Sequence, residues 1–140
     1  MPKIMIAEDD AANRDLLSEM IRSWGYTVIE AQNGADALER ALESRPDLVV
    51  CDIRMPILDG VGFVRALRRD TKLAALPVIA LTGFDAQDHD AIVSAGFTTY
   101  QSKPVSSELL RETSSGCFRR LRRTERSIRI VDSSPWPLCS

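Results

Sequence analysis

Asp52 closes an apolar run, Leu48-Val49-Val50-Cys51, and a turn-forming stretch, Arg54-Met55-Pro56-Ile57-Leu58-Asp59-Gly60, follows at once. A carboxylate at the junction of a buried strand and a Pro/Gly turn is held rigidly, and this position is expected to face solvent. Three further signals follow other apolar runs: the acids Glu8-Asp9-Asp10 after the first, Thr82 after another, and Lys103-Pro104 after the last. The chemistry these types can do together is phosphoryl transfer to a carboxylate beside a divalent cation. Such a reaction needs an ionised, in-line nucleophile, a cation to neutralise the phosphoryl oxygens and donors for the remaining charge.

In this reading Asp52 is the nucleophile, since carboxylates are established covalent acceptors of phosphoryl groups. Clustered carboxylates repel one another unless a cation sits among them. Mg2+ takes octahedral oxygen coordination with few protein ligands, and Mn2+ suits a similar oxygen site. Asp9 and Asp52 would give direct carboxylate oxygens, Glu8 a water-mediated one, and the Arg54 backbone carbonyl another. Asp10 can equally be a helix cap. Thr82 has a hydroxyl to donate to a phosphoryl oxygen, although a β-branched residue is at home in any strand. Lys103 is a flexible point charge suited to phosphate, and Pro104 restricts the backbone after it.

The elements that must position these residues alternate. Strands are predicted over Lys3–Ala7, Thr27–Ala31, Leu48–Asp52, Pro77–Thr82 and Thr98–Ser102. Between them lie helical spacings: residues 13–24 stopped by Gly25, a helix capped by Asn33, one from Asp59 to about Arg69, and one that Asp85 can cap, ending near Ala95 and Gly96. Ser106 or Ser107 opens a last helix through Leu109 and Leu110, and Thr113-Ser114-Ser115-Gly116 is expected to break it. Near-continuous apolar strands alternating with helices imply an α/β fold with a parallel sheet covered on both faces. Ligands of such sheets bind beyond the carboxyl ends of the strands, where Glu8, Asp9, Asp52, Thr82 and Lys103 all fall.

Composition bounds the rest. The 140 residues include 18 Lys+Arg and 20 Asp+Glu, and the charge is uneven. Residues 1–104 carry 11 basic and 16 acidic side chains, a net −5; residues 105–140 carry 7 and 4, a net +3. The acidic part offers no nucleic-acid surface, and no direct DNA binding is expected. No apolar stretch approaches the roughly 20 residues of a membrane span, and Met1-Pro2-Lys3 lacks the apolar core of a signal peptide. Three cysteines without metal-like spacing read as reduced thiols of a cytoplasmic protein, with Cys51 a small core residue. We expect one domain over residues 1–112 and a basic tail over 113–140. The tail's composition is compatible with disorder, with a basic helix over 117–126, with an acidic partner or membrane surface, or with a solvated extension. A shifted reading frame near residues 112–116 would equally account for its change of character.

The quoted motifs resemble the receiver domain of two-component response regulators. The matching segments are Lys3-Ile4-Met5-Ile6-Ala7-Glu8-Asp9, Asp52 to Gly60, Leu81-Thr82-Gly83 and Tyr100-Gln101-Ser102-Lys103-Pro104. The intervals match too: 43 residues from Asp9 to Asp52, 30 to Thr82 and 21 to Lys103. The resemblance implies a flavodoxin-like, doubly wound sheet of five parallel strands in the order 2-1-3-4-5. It implies transfer from a phosphohistidine on a histidine kinase or histidine phosphotransfer protein to Asp52. It places Mg2+ at Glu8, Asp9, Asp52 and the Arg54 carbonyl, and makes Thr82 and Tyr100 a switch pair. Phosphorylation would draw the Thr82 hydroxyl inward and let Tyr100 turn from exposed to buried. The face of the fourth helix, fifth strand and fifth helix would then meet a downstream protein or a second copy.

Gly83, where the family often has alanine, loosens the loop. Arg54 and Phe84 occupy positions that in this family tune attack of water on the aspartyl phosphate, and slow self-dephosphorylation is expected. Beyond its own phosphorylation and dephosphorylation no enzymatic activity is expected. Two alternatives stand beside a stand-alone receiver. One is a receiver excised from a hybrid histidine kinase. The other is a Mg2+-dependent aspartyl-phosphate phosphatase, which would want a second Asp where Arg54 stands.

Overall fold

The computed structural model describes residues 2–83, 86–102, 107, 108 and 110–116. Strands and helices alternate as β1 (Lys3–Ala7), α1 (Ala11–Ser23), β2 (Thr27–Ala31), α2 (Gly34–Ser44), β3 (Leu48–Asp52), α3 (Gly60–Arg69), β4 (Val78–Thr82), α4 (Ala86–Ala95) and β5 (Thr99–Ser102). A last helix, α5, takes in residues 107, 108 and 110–116. The five strands form one sheet in the order β2-β1-β3-β4-β5, and every pairing is parallel.

Two apolar layers follow from the two-residue period of a strand. Met5, Ala7, Val49, Cys51, Val78 and Ala80 point to one face, where they pack with Ala37 and Ala41 of α2, Phe63, Val64 and Leu67 of α3, and Ile92 and Ala95 of α4. Ile4, Ile6, Leu48, Val50, Ile79 and Leu81 point to the other, against Leu17 and Ile21 of α1 and Leu110 of α5. All five residues of β3 and of β4 are buried, as covered parallel strands require.

Caps set the helix starts as the sequence implied. Asp10 accepts from Ala12 N–H and Asn13 N–H ahead of α1, Asn33 accepts from Asp36 N–H ahead of α2, and Asp59 accepts from Gly62 N–H ahead of α3. Gly25, at φ 94, follows the end of α1. Asp85 and Ser106 lie outside the described residues, as does everything after residue 116.

The expected break at residues 113–116 is not found: the chain is helical through Gly116. Serine and glycine are weak helix formers, but tertiary packing overrides local propensity. Leu110 is fully buried on the sheet and Ser114 is buried beside it. The seam beneath this helix is polar. Gln101 Nε2 donates to Thr113 Oγ1 at 2.7 Å, while Gln101 Oε1 and Ser114 Oγ are buried without a hydrogen-bond partner among the described residues.

Candidate phosphoacceptor and metal site

The pairing of β1 with β3 brings Ala7 level with Cys51, so the next residues, Glu8 just past β1 and Asp52 at the end of β3, come together. One carboxylate oxygen from each of Glu8, Asp9 and Asp52 lies within 4.8 Å of the others. Glu8 and Asp52 are buried, at 2% and 5% exposure, and Asp9 is exposed. This hard, all-oxygen, anionic set fits a small divalent cation, with room for waters on the Asp9 side.

Asp52 is less open than its place beside a turn suggested. The following loop turns back onto the backbone at this strand end: Gly60 N–H donates to the Ile53 carbonyl at 2.8 Å, and a Cβ on Gly60 would stand 2.5 Å from the Asp52 carbonyl oxygen. Arg54 N–H donates to Asp52 Oδ1 at 3.3 Å, which orients the carboxylate, and the Arg54 side chain is exposed. Glu8 is fixed from three sides. Its N–H donates to the Ala31 carbonyl at 3.1 Å, its carbonyl accepts from Arg14 Nη1 at 2.8 Å, and its Oε1 accepts from Asp10 N–H at 3.2 Å. Asp10 itself is occupied as the α1 cap, with Oδ1 2.9 Å from Ala12 N, which separates it from the three clustered acids.

Thr82 ends β4 and is 6% exposed. Its hydroxyl donates to the Gly83 carbonyl at 3.0 Å. A Cβ on Gly83 would meet nothing within 4 Å, so Gly83 has open space beside it. Thr82 pairs with Ser102, and Tyr100 with Ala80, on adjacent strands. Tyr100 is 38% exposed. Lys103, Pro104 and Phe84 lie outside the described residues.

Several contributors escaped the sequence reading. Arg14 reaches back from the first turn of α1 to the Glu8 carbonyl, and its helical position was the only signal. Cys51 is a core residue, as expected, but its thiol also donates to the Asp52 carbonyl at 3.2 Å. Burial, reinforced by the charges of Asp52, Glu8 and Asp59, pushes that thiol well above its ordinary value. Ile57, in the loop beside Asp52, has φ 72, and nothing in a β-branched residue announces that.

Parallel topology, strand order and an acidic cleft at the strand ends define a class before any relative is considered. The family model of the response regulator receiver domain matches residues 4–114. The chain is 41% identical over 108 residues to the polar-differentiation response regulator DivK of Brucella anthropi, covering 76% of this chain and 88% of that protein. A putative response regulator from Chloroflexus aurantiacus superposes with a TM-score of 0.82 at 28% identity, covering 85% of this chain and 98% of that one. The receiver domain of a sensor histidine kinase from Pseudomonas aeruginosa, solved with a magnesium ion coordinated in its active site cleft, superposes with a TM-score of 0.75 at 31% identity, covering 90% and 98%.

The chain belongs to the response regulator receiver family of two-component systems, with that family's flavodoxin-like fold. No helix among the described residues is long and apolar enough to cross a membrane.

Proposed function

We propose that Asp52 accepts a phosphoryl group from a histidine kinase or histidine phosphotransfer protein in a Mg2+-dependent phosphorelay. The observation that carries this reading is the convergence of Glu8, Asp9 and Asp52 within 4.8 Å at the carboxyl end of the central strand. A bound Mg2+, or Mn2+, would neutralise phosphoryl oxygens there, held by Glu8, Asp9, Asp52 and the Arg54 carbonyl. The chain's own residues do the rest. The Arg54 N–H orients the Asp52 carboxylate for in-line attack. As the Asp52 oxygen–phosphorus bond forms, the donor's nitrogen–phosphorus bond breaks and its electron pair returns to the imidazole. Thr82 and Lys103 donate to the transferred oxygens, and Tyr100 follows Thr82 inward.

The output is a rearranged face of α4, β5 and α5 that meets a downstream protein or a second copy of the chain. The protein acts in the cytoplasm and catalyses only its own phosphorylation and slow dephosphorylation. Incubation with acetyl phosphate and Mg2+ followed by intact mass measurement tests the core of this reading. One added phosphoryl group, lost in Asp52→Asn and with EDTA, is expected. No adduct with any phosphodonor would overturn it.

A further inference from the structure

A cleft of about 400 Å³ lies between the end of α2 and the turn that follows α3. Leu42 and Arg45 line one wall, and Arg69, Asp70, Lys72 and Leu73 line the other. Both walls belong to connections that lead into β3 and β4, so the cleft borders the start of the sheet, whereas Asp52 ends β3. Leu48 and Asp52, the first and last residues of β3, are about 13 Å apart at the usual rise per residue.

The charge of this cleft runs against that of its surroundings. Residues 1–104 are net negative, yet three cations and one acid line the cleft. Arg45, Arg69 and Lys72 are exposed, and their side chains have no hydrogen bond or ion pair among the described residues. Asp70 holds its own turn instead. Its Oδ1 accepts from Lys72 N–H at 2.8 Å, which leaves Oδ2 without a partner among the described residues.

A cation near a helix C-terminus is ordinary by itself, and Arg69 in the last turn of α3 is one. Arg45 is less ordinary. It is the C-cap of α2 at φ 46 and ψ 68, a left-handed conformation that glycine or asparagine adopts far more readily. The backbone on both walls is already fixed. Arg45 N–H donates to the Ala41 carbonyl at 3.0 Å, and Leu73 N–H donates to the Asp70 carbonyl at 3.2 Å. Arg68 Nη1 holds the same turn through the Ala74 and Leu76 carbonyls. A ligand would have little backbone to order on binding.

We propose that this cleft binds a nucleotide through its phosphate groups. Guanidinium groups grip phosphate oxygens in a fork, and an ammonium adds a point charge. The volume falls within the range of small-molecule sites. The cleft also offers what an inorganic anion cannot use. Leu42, 48% exposed, and Leu73 below it supply apolar surface for the face of a base. Asp70 Oδ2 is an acceptor for a base amino group or a ribose hydroxyl.

The test is calorimetric titration of the full chain with AMP, ATP and GTP in EDTA, with adenosine and tripolyphosphate as part-ligands. EDTA removes the metal that an anion would need at Glu8, Asp9 and Asp52. At least one nucleotide should bind one per chain, and more tightly than either part-ligand. Its Kd should rise about tenfold in Arg45→Gly and in Arg69→Gln, and several-fold in Leu42→Ser. Arg22→Gln, which removes an exposed cation from α1, should leave it unchanged. Arg45→Gly relieves the left-handed strain and should melt no lower than wild type, so its lost binding is not lost folding.

No binding of any nucleotide at millimolar concentration overturns the proposal. So does tripolyphosphate that binds as tightly as the nucleotide with Leu42→Ser unaffected, which would mean attraction to charge alone. A loss in Arg22→Gln equal to that in Arg45→Gly overturns it as well, as does binding that appears only when Mg2+ replaces EDTA. Co-sedimentation with phosphatidylglycerol vesicles, abolished by Arg45→Gly in a chain that no nucleotide binds, would transfer the site to a lipid headgroup and overturn the nucleotide assignment.

Discussion

Gly34 and Leu58 meet backbone to backbone: the Gly34 N–H donates to the Leu58 carbonyl at 2.9 Å, and a Cβ on Gly34 would lie 2.1 Å from that oxygen. The start of α2 is thereby fastened to the loop beside Asp52. Gly34→Ala must push the two segments apart, because backbone cannot rotate away as a side-chain tip can. We expect a loss of about 2 kcal/mol or more, together with slower labelling of Asp52 by acetyl phosphate. Urea unfolding and the labelling rate check both, and an Ala variant as stable as wild type would contradict the contact.

Asp9 and Asp10 are neighbours with separable tasks. Asp10→Ala removes the α1 cap and should cost about 1 kcal/mol while Mg2+ still raises the melting temperature. Asp9→Asn removes one of three mutually repelling carboxylates, so the metal-free protein should be no less stable than wild type. Its melting temperature should no longer respond to Mg2+, since only a ligand that binds the folded state stabilises it. Thermal melts across a Mg2+ titration distinguish the two, and identical Mg2+ responses would refute the assignment of Asp9.

Cys51 gives the stability an alkaline limit. The unfolded thiol ionises near its ordinary value of 9.0, whereas burial and the charges of Asp52, Glu8 and Asp59 keep the folded thiol protonated well above it. Its contribution is therefore complete below pH 9.0 and declines as the pH rises from there toward the folded value, with a slope approaching about 1.4 kcal/mol per pH unit. Cys51→Ala should lack this component. Urea midpoints at stepped pH for both proteins should diverge above that value, and parallel curves would refute it.

Arg68 acts as a pin at the opposite end of the molecule. Its Nε donates to the Gly96 carbonyl at 2.9 Å, and its Nη1 reaches the carbonyls of Ala74 at 3.0 Å and Leu76 at 2.7 Å. Burial lowers the guanidinium below its ordinary value, but it remains charged at neutral pH. Arg68→Met leaves several carbonyls without their donor and should cost about 2–3 kcal/mol. Arg68→Lys should recover only part of this, because one ammonium cannot span the same fork. Denaturant unfolding of both variants would show the order, and a fully restored Lys variant would refute it.

Where apolar runs end at a cap or an acid, the sequence marked the elements closely. Lys3–Ala7, Thr27–Ala31 and Leu48–Asp52 are strands over the expected residues, and α3 starts directly after the Asp59 cap. The acids were legible for the same reason, since each lies at or just past the end of a strand whose apolar run marks it. The course of the last helix was not, because it depends on Leu110 docking against distant strands rather than on the Ser-Ser-Gly stretch. Nor was the conformation of Ile57, which its neighbours impose against its own preference. Arg14 and Arg68 looked like ordinary helix-surface cations, and only tertiary approach showed which carbonyls they hold.

The open space beside Gly83 gives the molecule a directionality. On the α2 side, Leu58 is held against Gly34, and the turn after Asp52 has no room for even one more carbon at Gly60. On the β4 side, a Cβ on Gly83 would meet nothing within 4 Å. A disturbance born at Asp52 meets an anvil in one direction and slack in the other. A group added at Asp52 would thus find braced backbone toward α2 and spare room beside Gly83.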